Sequence, residues 1–411
     1  MSAHIICVTG SGLPLLSRKK GNSESLPFAT IGSLNGLYMF GKPFNVKLLN
    51  CSTNDYVSCW REFEDSIVII GIASGCSLDV LNSLLDIIFD AIVLIVGIDE
   101  VKQQRNVERL KREFRVIYPV IDRLLDSLDC GETGNKHASD ILGYSEVISC
   151  PENNMIKIVL DSYTKCVDSM YSCVIISEKI AVATESWWSL HPNEIKLLTL
   201  LAVADNLTTA KDVPVFLPYK SAKVAFRFVV CTLMPDVMLC CLCGSTPALN
   251  DIKHFAMQCF RNSTSMLGAV VNSSPRSFPS SWNIGSSILS LLLVNIPSKK
   301  YTIQYPQQNC KKTTASSHRL EILRSFLYRT VDQYMVKLSE NSKDGNANDD
   351  NENLNTAFES YWCSEYHKCY AIKFNDHILC ILFNASPTTH VMRLTVQKCF
   401  KTIFSDKQLC W

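Results

Sequence analysis

The sequence predicts an α+β protein of three tandem units, each an antiparallel five-stranded sheet flanked by helices. Three observations predict it. One order of hydrophobic patterns (two strand-like runs, a helix, three strand-like runs, a helix) passes along the chain three times. The strand-like runs are short and separated by turn residues, so sequence neighbours pair as hairpins. The composition, 47% hydrophobic and 19% charged over 411 residues, is that of a folded chain long enough for two or three domains.

The first unit, 1–150, begins with strands at 4–9 and 13–20 joined by the turn "TGSG". A helix over 27–41 starts at Pro27, a favoured first-turn residue. Strands near 45–50, 56–63 and 66–73 follow, the last fully apolar in "SIVIIGIAS". Leu81, Leu84, Leu85, Ile88, Ile92 and Ile95 recur at helical spacing over 78–97. A second helix, 102–128, carries Val107, Leu110, Phe114, Ile117, Ile121 and Leu124 on one face.

The second unit, 151–285, opens with a connecting helix at 151–168 and then repeats the order. "YSCVIIS" and "KIAVATES" pair, a helix covers 192–205, strands lie at 213–217, 224–233 and 237–243, and a helix spans 247–261. The Ser- and Pro-rich stretch 272–287 reads as a boundary. In the third unit, 286–411, "ILSLLLVNI" and "YTIQY" are strands and 314–338 a long helix. Strands at 358–363, 367–374 and 377–384 and a helix at 387–404 complete it. The insert "SENSKDGNANDDNENLN" at 339–355 has the composition of disorder.

The formal net charge of +1 gives no reason to expect nucleic acid as a partner. Nineteen cysteines lie scattered, often within apolar runs, and the first twenty residues lack the pattern of a secretory signal. The expectation is a cytoplasmic protein with reduced thiols.

The most informative stretch is 25–41, "SLPFATIGSLNGLYMFG", which contains no charged side chain. An ordinary surface helix has a solvated, charged face. In helical projection Phe28, Ile31, Leu34 and Tyr38 line one side, with Leu37, Met39 and Phe40 across the rest. Gly32 and Gly36 form a small-xxx-small notch through which another backbone can come close. Two readings stand: a helix buried in its own domain, or a helix with its own sheet on one side and a second polypeptide on the other. We favour the second, with Ile31, Leu34, Leu37, Tyr38 and Phe40 as candidate partner contacts. Residues 36–42 also match most of a phosphate-binding loop, but Pro43 stands where Ser or Thr is needed for Mg²⁺. We therefore read no nucleotide site there.

Six stretches, "LPFATIGSLNGLYMFGK" (26–42), "AIVLIVG" (91–97), "RNVERLKREFR" (105–115), "VATESWWSL" (182–190), "VPVFLP" (213–218) and "CCLCGSTPAL" (240–249), resemble the Fuzzy family of planar-cell-polarity effectors in order and spacing. The resemblance is weakest in the final third. It implies three longin domains in tandem, heterodimerisation with Inturned, and membership of the ciliogenesis and planar polarity effector complex. It further implies a location at the ciliary basal body and cytoskeleton, with links to intraflagellar transport and Hedgehog signalling. By similarity to other tandem-longin pairs, the heterodimer would be a guanine-nucleotide exchange factor for a Rab-family small GTPase. The alternative is a non-catalytic scaffold or adaptor that recruits small GTPases and other complex subunits to basal-body membranes.

No catalytic, cofactor or metal motif accompanies these features. Exchange needs none, since a factor acts by binding the nucleotide-free GTPase better. Lys102, Arg105, Arg109, Arg112 and Arg115 form a basic strip opposite the apolar face of the 102–128 helix, offset by Glu108 and Glu113. It is either a solvated face or a contact for an acidic partner or anionic phosphoinositide headgroups. Trp187 and Trp188 point different ways from one turn, so one of them is a candidate contact.

Overall fold

A computed structural model of the chain describes residues 2–21, 24–128, 140–204, 210–273, 287–304, 313–337 and 358–405. The first sheet contains β1 (Ala3–Thr9), β2 (Pro14–Lys20), β3 (Asn50–Ser52), β4 (Val57–Phe63) and β5 (Ile67–Ala73), in the spatial order β2-β1-β5-β4-β3. The helix α1 (Phe28–Gly41) packs on one face against Ile6, Val8, Trp60, Val68 and Ile70. On the other face lies α2 (Leu78–Val96). Gly71 on the central strand β5 lets it lie close, since a Cβ there would stand 3.0 Å from Leu81 and Leu85.

The 102–128 region is not one helix. It forms α3 (Ile98–Gln103), α4 (Val107–Phe114) and α5 (Tyr118–Asp126). Gln104 turns left-handed at φ 46°, and Asn106 caps α4 by accepting from the Arg109 backbone N–H at 3.0 Å. Pro119 then sits in the first turn of α5, where its missing N–H costs no helical bond.

The second unit has α6 (Asn153–Val167), β7 (Tyr171–Ile176), β8 (Lys179–Ala183), a one-turn α7 (Glu185–Trp188) and α8 (Pro192–Val203). It continues with β9 (Ala210–Leu217), β10 (Ser221–Met234), β11 (Val237–Cys243), α9 (Leu249–Phe260) and α10 (Thr264–Ser273). Its sheet order, β8-β7-β11-β10-β9, is that of the first.

The third unit repeats it again with β12 (Ile288–Asn295), β13 (Lys300–Gln304), β14 (Glu359–Cys363), β15 (His367–Phe374) and β16 (His377–Asn384). Here α11 (Thr313–Phe326), continued by a π-helical stretch Leu327–Lys337, covers one face, and α12 (Thr389–Ser405) the other. The 339–355 insert lies outside the described residues.

A sixth strand, β6 (Ser145–Glu146), joins the third sheet parallel to β13. The Ser145 and Val147 backbone N–H groups donate to Lys299 and Tyr301, whereas Ile148 donates to Ile180 on β8. Residues 145–148 thus stitch the edges of the second and third sheets together.

The first two units share one apolar core built on α2, α4, α5, α8 and both sheets. Gly97, at φ 82°, ends α2 beneath Phe216 of β9, whose ring would lie 3.0 Å from any Cβ there. A buried charge cluster marks the meeting of all three units. Asp140 accepts from Arg123 of α5 at 2.7 Å and from Lys196 of α8 at 3.1 Å, with the Tyr301 hydroxyl of β13 at 3.5 Å.

Candidate functional site

The helix α1 forms because Pro27 starts it, no internal proline interrupts it, and β5 and β4 offer an apolar bed. Two of its side chains, Ile31 (6% exposed) and Tyr38 (2%), are buried in that bed, with Leu34 and Met39 half-buried beside them. The Trp60 indole donates to the Leu34 carbonyl at 3.2 Å, and the Tyr38 hydroxyl donates to Glu62 at 2.7 Å. Lys42 and Lys47 also pair with Glu62. Burial works against the charge of Glu62, but hydrogen bonds from Lys42 and Tyr38 outweigh it and hold its carboxyl below the ordinary value. Burial first, and then the bond to Glu62, pushes the Tyr38 phenol up. These contacts fix which side of α1 faces inward.

The outward side is apolar. Phe28 is 71% exposed, Leu37 61% and Phe40 74%, on a helix with no charged residue. The surface continues beyond the helix through Phe44, Val46 and Leu49, each more than half exposed, with the Phe40 and Phe44 rings 5.8 Å apart. A Cβ on Gly32 or Gly36 would meet nothing within 4 Å, so the notch faces open space. Gly41 is different: a Cβ there would stand 2.4 Å from the Val46 carbonyl oxygen, so glycine is what lets the chain fold back toward β3. A patch this rich in aromatic and aliphatic groups is unusual on a monomer surface.

Several sequence expectations need correction. Ile31 and Tyr38, expected among the partner contacts, belong to the core of the first unit, because their spacing matches the bed beneath them. Phe28, projected on the same side as Ile31, faces solvent. Leu34 is half-buried, and only Leu37 and Phe40 of the five candidates are widely exposed. Phe44, Val46 and Leu49 were missed. The stretch "FNVKLL" directly after Pro43 alternates apolar and polar residues over 44–48 and so reads as a strand near 45–50. In the structure that strand begins only at Asn50, which leaves these side chains in an exposed connection. Residues 36–41 of the phosphate-loop match are helical, so their backbone N–H groups do not form a cradle.

The basic residues do not form one helical strip. Lys102 lies on α3, paired with Glu64 at 2.8 Å, and Arg105 sits in the following turn. Arg109 pairs with Glu113 at 2.8 Å. Arg112 is on α4 and Arg115 starts the turn after it, both exposed. Trp187 is fully buried in the core shared by the first two units. Trp188 is half-buried, with the Lys300 ammonium 3.5 Å from its ring centroid across the junction with the third unit. Neither tryptophan is a free contact. On β11 the sulfurs of Cys241 and Cys243 lie 3.4 Å apart on one buried face, and among the described residues no group of three or more His, Cys, Asp or Glu is placed to hold a metal ion. No described helix is long and apolar enough to cross a membrane.

Three family models match the chain in succession. The first longin domain of FUZ, MON1 and HPS1 matches residues 3–124, the second 167–261 and the third 287–407. The chain is 32% identical to "Protein fuzzy homolog" of Xenopus tropicalis over 98% of both chains. It is also 32% identical to the proteins of that name from Homo sapiens and Rattus norvegicus, over 79% of this chain and 78% of theirs. Three longin matches in register with three sheets of one strand order, and a relative aligned nearly end to end, place this chain in the Fuzzy family of tandem longin proteins.

Proposed function

We propose that the chain is one half of a heterodimeric guanine-nucleotide exchange factor, with Inturned as the other half and a Rab-family small GTPase as its substrate, acting in ciliogenesis and planar polarity. The observation that carries the reading is the outward side of α1. Phe28, Leu37 and Phe40, with Phe44, Val46 and Leu49, form a surface that its own sheet leaves bare. Hydrophobic burial of such a surface is what drives stable association. The Gly32–Gly36 notch suits close approach by a second backbone. Exchange would then arise from the joint surface of two first longin domains, which need only bind the GTPase better without its nucleotide. Arg105, Arg112 and Arg115 remain a candidate contact for anionic phosphoinositide membranes, a role that attraction of basic clusters to lipid headgroups supports.

The test is nucleotide release from the GTPase with this chain, with Inturned, and with both. Release should accelerate only with both. In the same assay Leu37→Asp and Phe40→Asp should prevent association and acceleration while leaving the isolated chain folded. Acceleration by this chain alone would overturn the proposal. A GTPase that binds the pair without faster release would instead favour a scaffold.

A further inference from the structure

A cleft of about 670 Å³ lies between the first two units, where α2 and the turn after β4 meet the start of α8 and the turn after β9. Its volume falls in the range of small-molecule sites, which are concave and oriented by a few polar groups. Two stacked ring pairs line it, Phe63 on Phe89 with centroids 4.2 Å apart and His191 on Tyr219 at 3.5 Å. Asp90 of α2 lines it too, although only 6% exposed. Its Oδ2 accepts from the Asn193 side-chain amide at 2.8 Å and from the Tyr219 hydroxyl at 3.0 Å. Among the described residues its Oδ1 accepts no hydrogen bond, and the carboxylate has no ion pair. The Asn193 Oδ1 atom is buried without a partner as well.

The charges around Asp90 are otherwise answered. Asp86 pairs with Arg61 at 2.6 Å, and Glu64 with Lys102 at 2.8 Å. The start of α8 is closed by its own capping box, in which His191 Nδ1 accepts from the Asn193 backbone N–H and Glu194 accepts from that of His191. Burial holds the His191 imidazole below its ordinary value, so it adds no charge at pH 7. Burial raises the Asp90 carboxyl to about 6, which leaves it ionised at that pH. A buried carboxylate with one oxygen unmet calls for a cation. A metal ion does not fit, since among the described residues no group of three or more His, Cys, Asp or Glu is placed to hold one. The ring pairs favour a cation with an aromatic body, through stacking and through attraction of positive charge to ring faces. We propose that this cleft binds a small organic cation, an arylalkylamine, with its ammonium on the Asp90 carboxylate and its ring against the Phe63–Phe89 pair. The site uses no residue of the α1 surface, so it stands or falls independently of the exchange reading.

The full chain is titrated calorimetrically at pH 7 with 2-phenylethylamine, 2-phenylethanol and 3-phenylpropanoate. The amine should bind with a dissociation constant of about 0.1 mM, the alcohol about tenfold more weakly, and the acid more weakly still. Asp90→Asn should weaken the amine about tenfold and leave the alcohol unchanged. Ala222→Trp, which fills the cleft from β10, should abolish binding of both. If Asp90→Asn melts early, the preference of the wild type for amine over alcohol and its loss in Ala222→Trp decide. Failure of the wild type to bind the amine, or binding indifferent to Asp90→Asn in a folded variant, overturns the proposal. Tighter binding of 3-phenylpropanoate than of the amine would assign the cleft to an anion held by Lys299, which also lines it, and would overturn the proposal too. So would binding of an arginine-containing peptide without binding of the amine, which would assign the cleft to a protein partner.

Discussion

Replacing Asp140 by Asn should destabilise the whole chain, because this carboxylate ties three units together. It is 6% exposed and accepts from Arg123 and Lys196, whose side chains are 19% and 5% exposed. Removing one partner of a buried ion pair costs about 3–5 kcal/mol, since the other charge stays buried without compensation. Arg123 retains Glu178 at 2.7 Å, so the expected loss at neutral pH lies at the lower end, about 3 kcal/mol. The sign of the pH dependence follows from the carboxyl itself. Burial opposes its charge, but Lys196 and Arg123 outweigh burial and hold it well below the usual carboxylate range. A folded-state value below the unfolded one, about 3.9, adds stability above that pH and loses it as acid protonates the group. The measurement is urea unfolding followed by tryptophan fluorescence at pH 7 and in steps toward pH 3. The variant should unfold at lower urea at pH 7, and the gap should narrow in acid. A difference under about 0.5 kcal/mol at pH 7, the size of an ordinary surface substitution, would refute the reasoning. So would a gap that widens on acidification.

Gly41→Ala should lower the melting temperature, since its Cβ would enter the space of the Val46 carbonyl, with a cost of about 1–3 kcal/mol as in other overpacked sites; an unchanged melt would mean the turn shifts freely. Ile31→Ala should cost the isolated chain about 2–4 kcal/mol, and Phe40→Ala less than about 0.5, both read by chemical unfolding. Equal losses would mean both sides of α1 are core. Burial lowers the Lys300 amine to about 8. Lys300 therefore loses its proton earlier in the folded chain than in the unfolded one, and between pH 8 and the ordinary lysine value of about 10.4 its own contribution to stability rises with pH. Buried thiols such as Cys7 and Cys380, which burial pushes up, contribute in the opposite direction. The difference in stability between wild type and Lys300→Met should therefore shift in favour of the wild type across that interval, and a difference independent of pH would refute the assignment.

The strand and helix order was legible because most strands are runs longer than the turns beside them, and a period of two or of 3.6 survives at that length. The strand β3 (Asn50–Ser52), shorter than the turn that follows it, lies later than the strand expected near 45–50. Boundaries failed where a single residue decided them. Asn106 as a cap and Pro119 as a helix start divide 102–128, yet both sit inside a periodic apolar pattern that hid them. The two-residue strand β6 is too short to show any period. The site was half legible. The absence of charge on α1 was plain, but a helix without a polar face carries no contrast from which to read its rotation. Only the bed beneath, with Trp60 and Glu62 gripping Leu34 and Tyr38, sets Leu37 and Phe40 outward. Trp187 was ambiguous for a similar reason, since its depth depends on the core that the first unit lends to the second.

The four residues 145–148 have a mechanical consequence. Because they bond to β13 on one side and β8 on the other, swinging the second longin domain against the third would break main-chain hydrogen bonds rather than slide side chains. Any such swing must first give up the bonds of Ser145 and Val147 to β13 and its preceding turn, or that of Ile148 to β8, so this short strand sets the point at which the two domains would part.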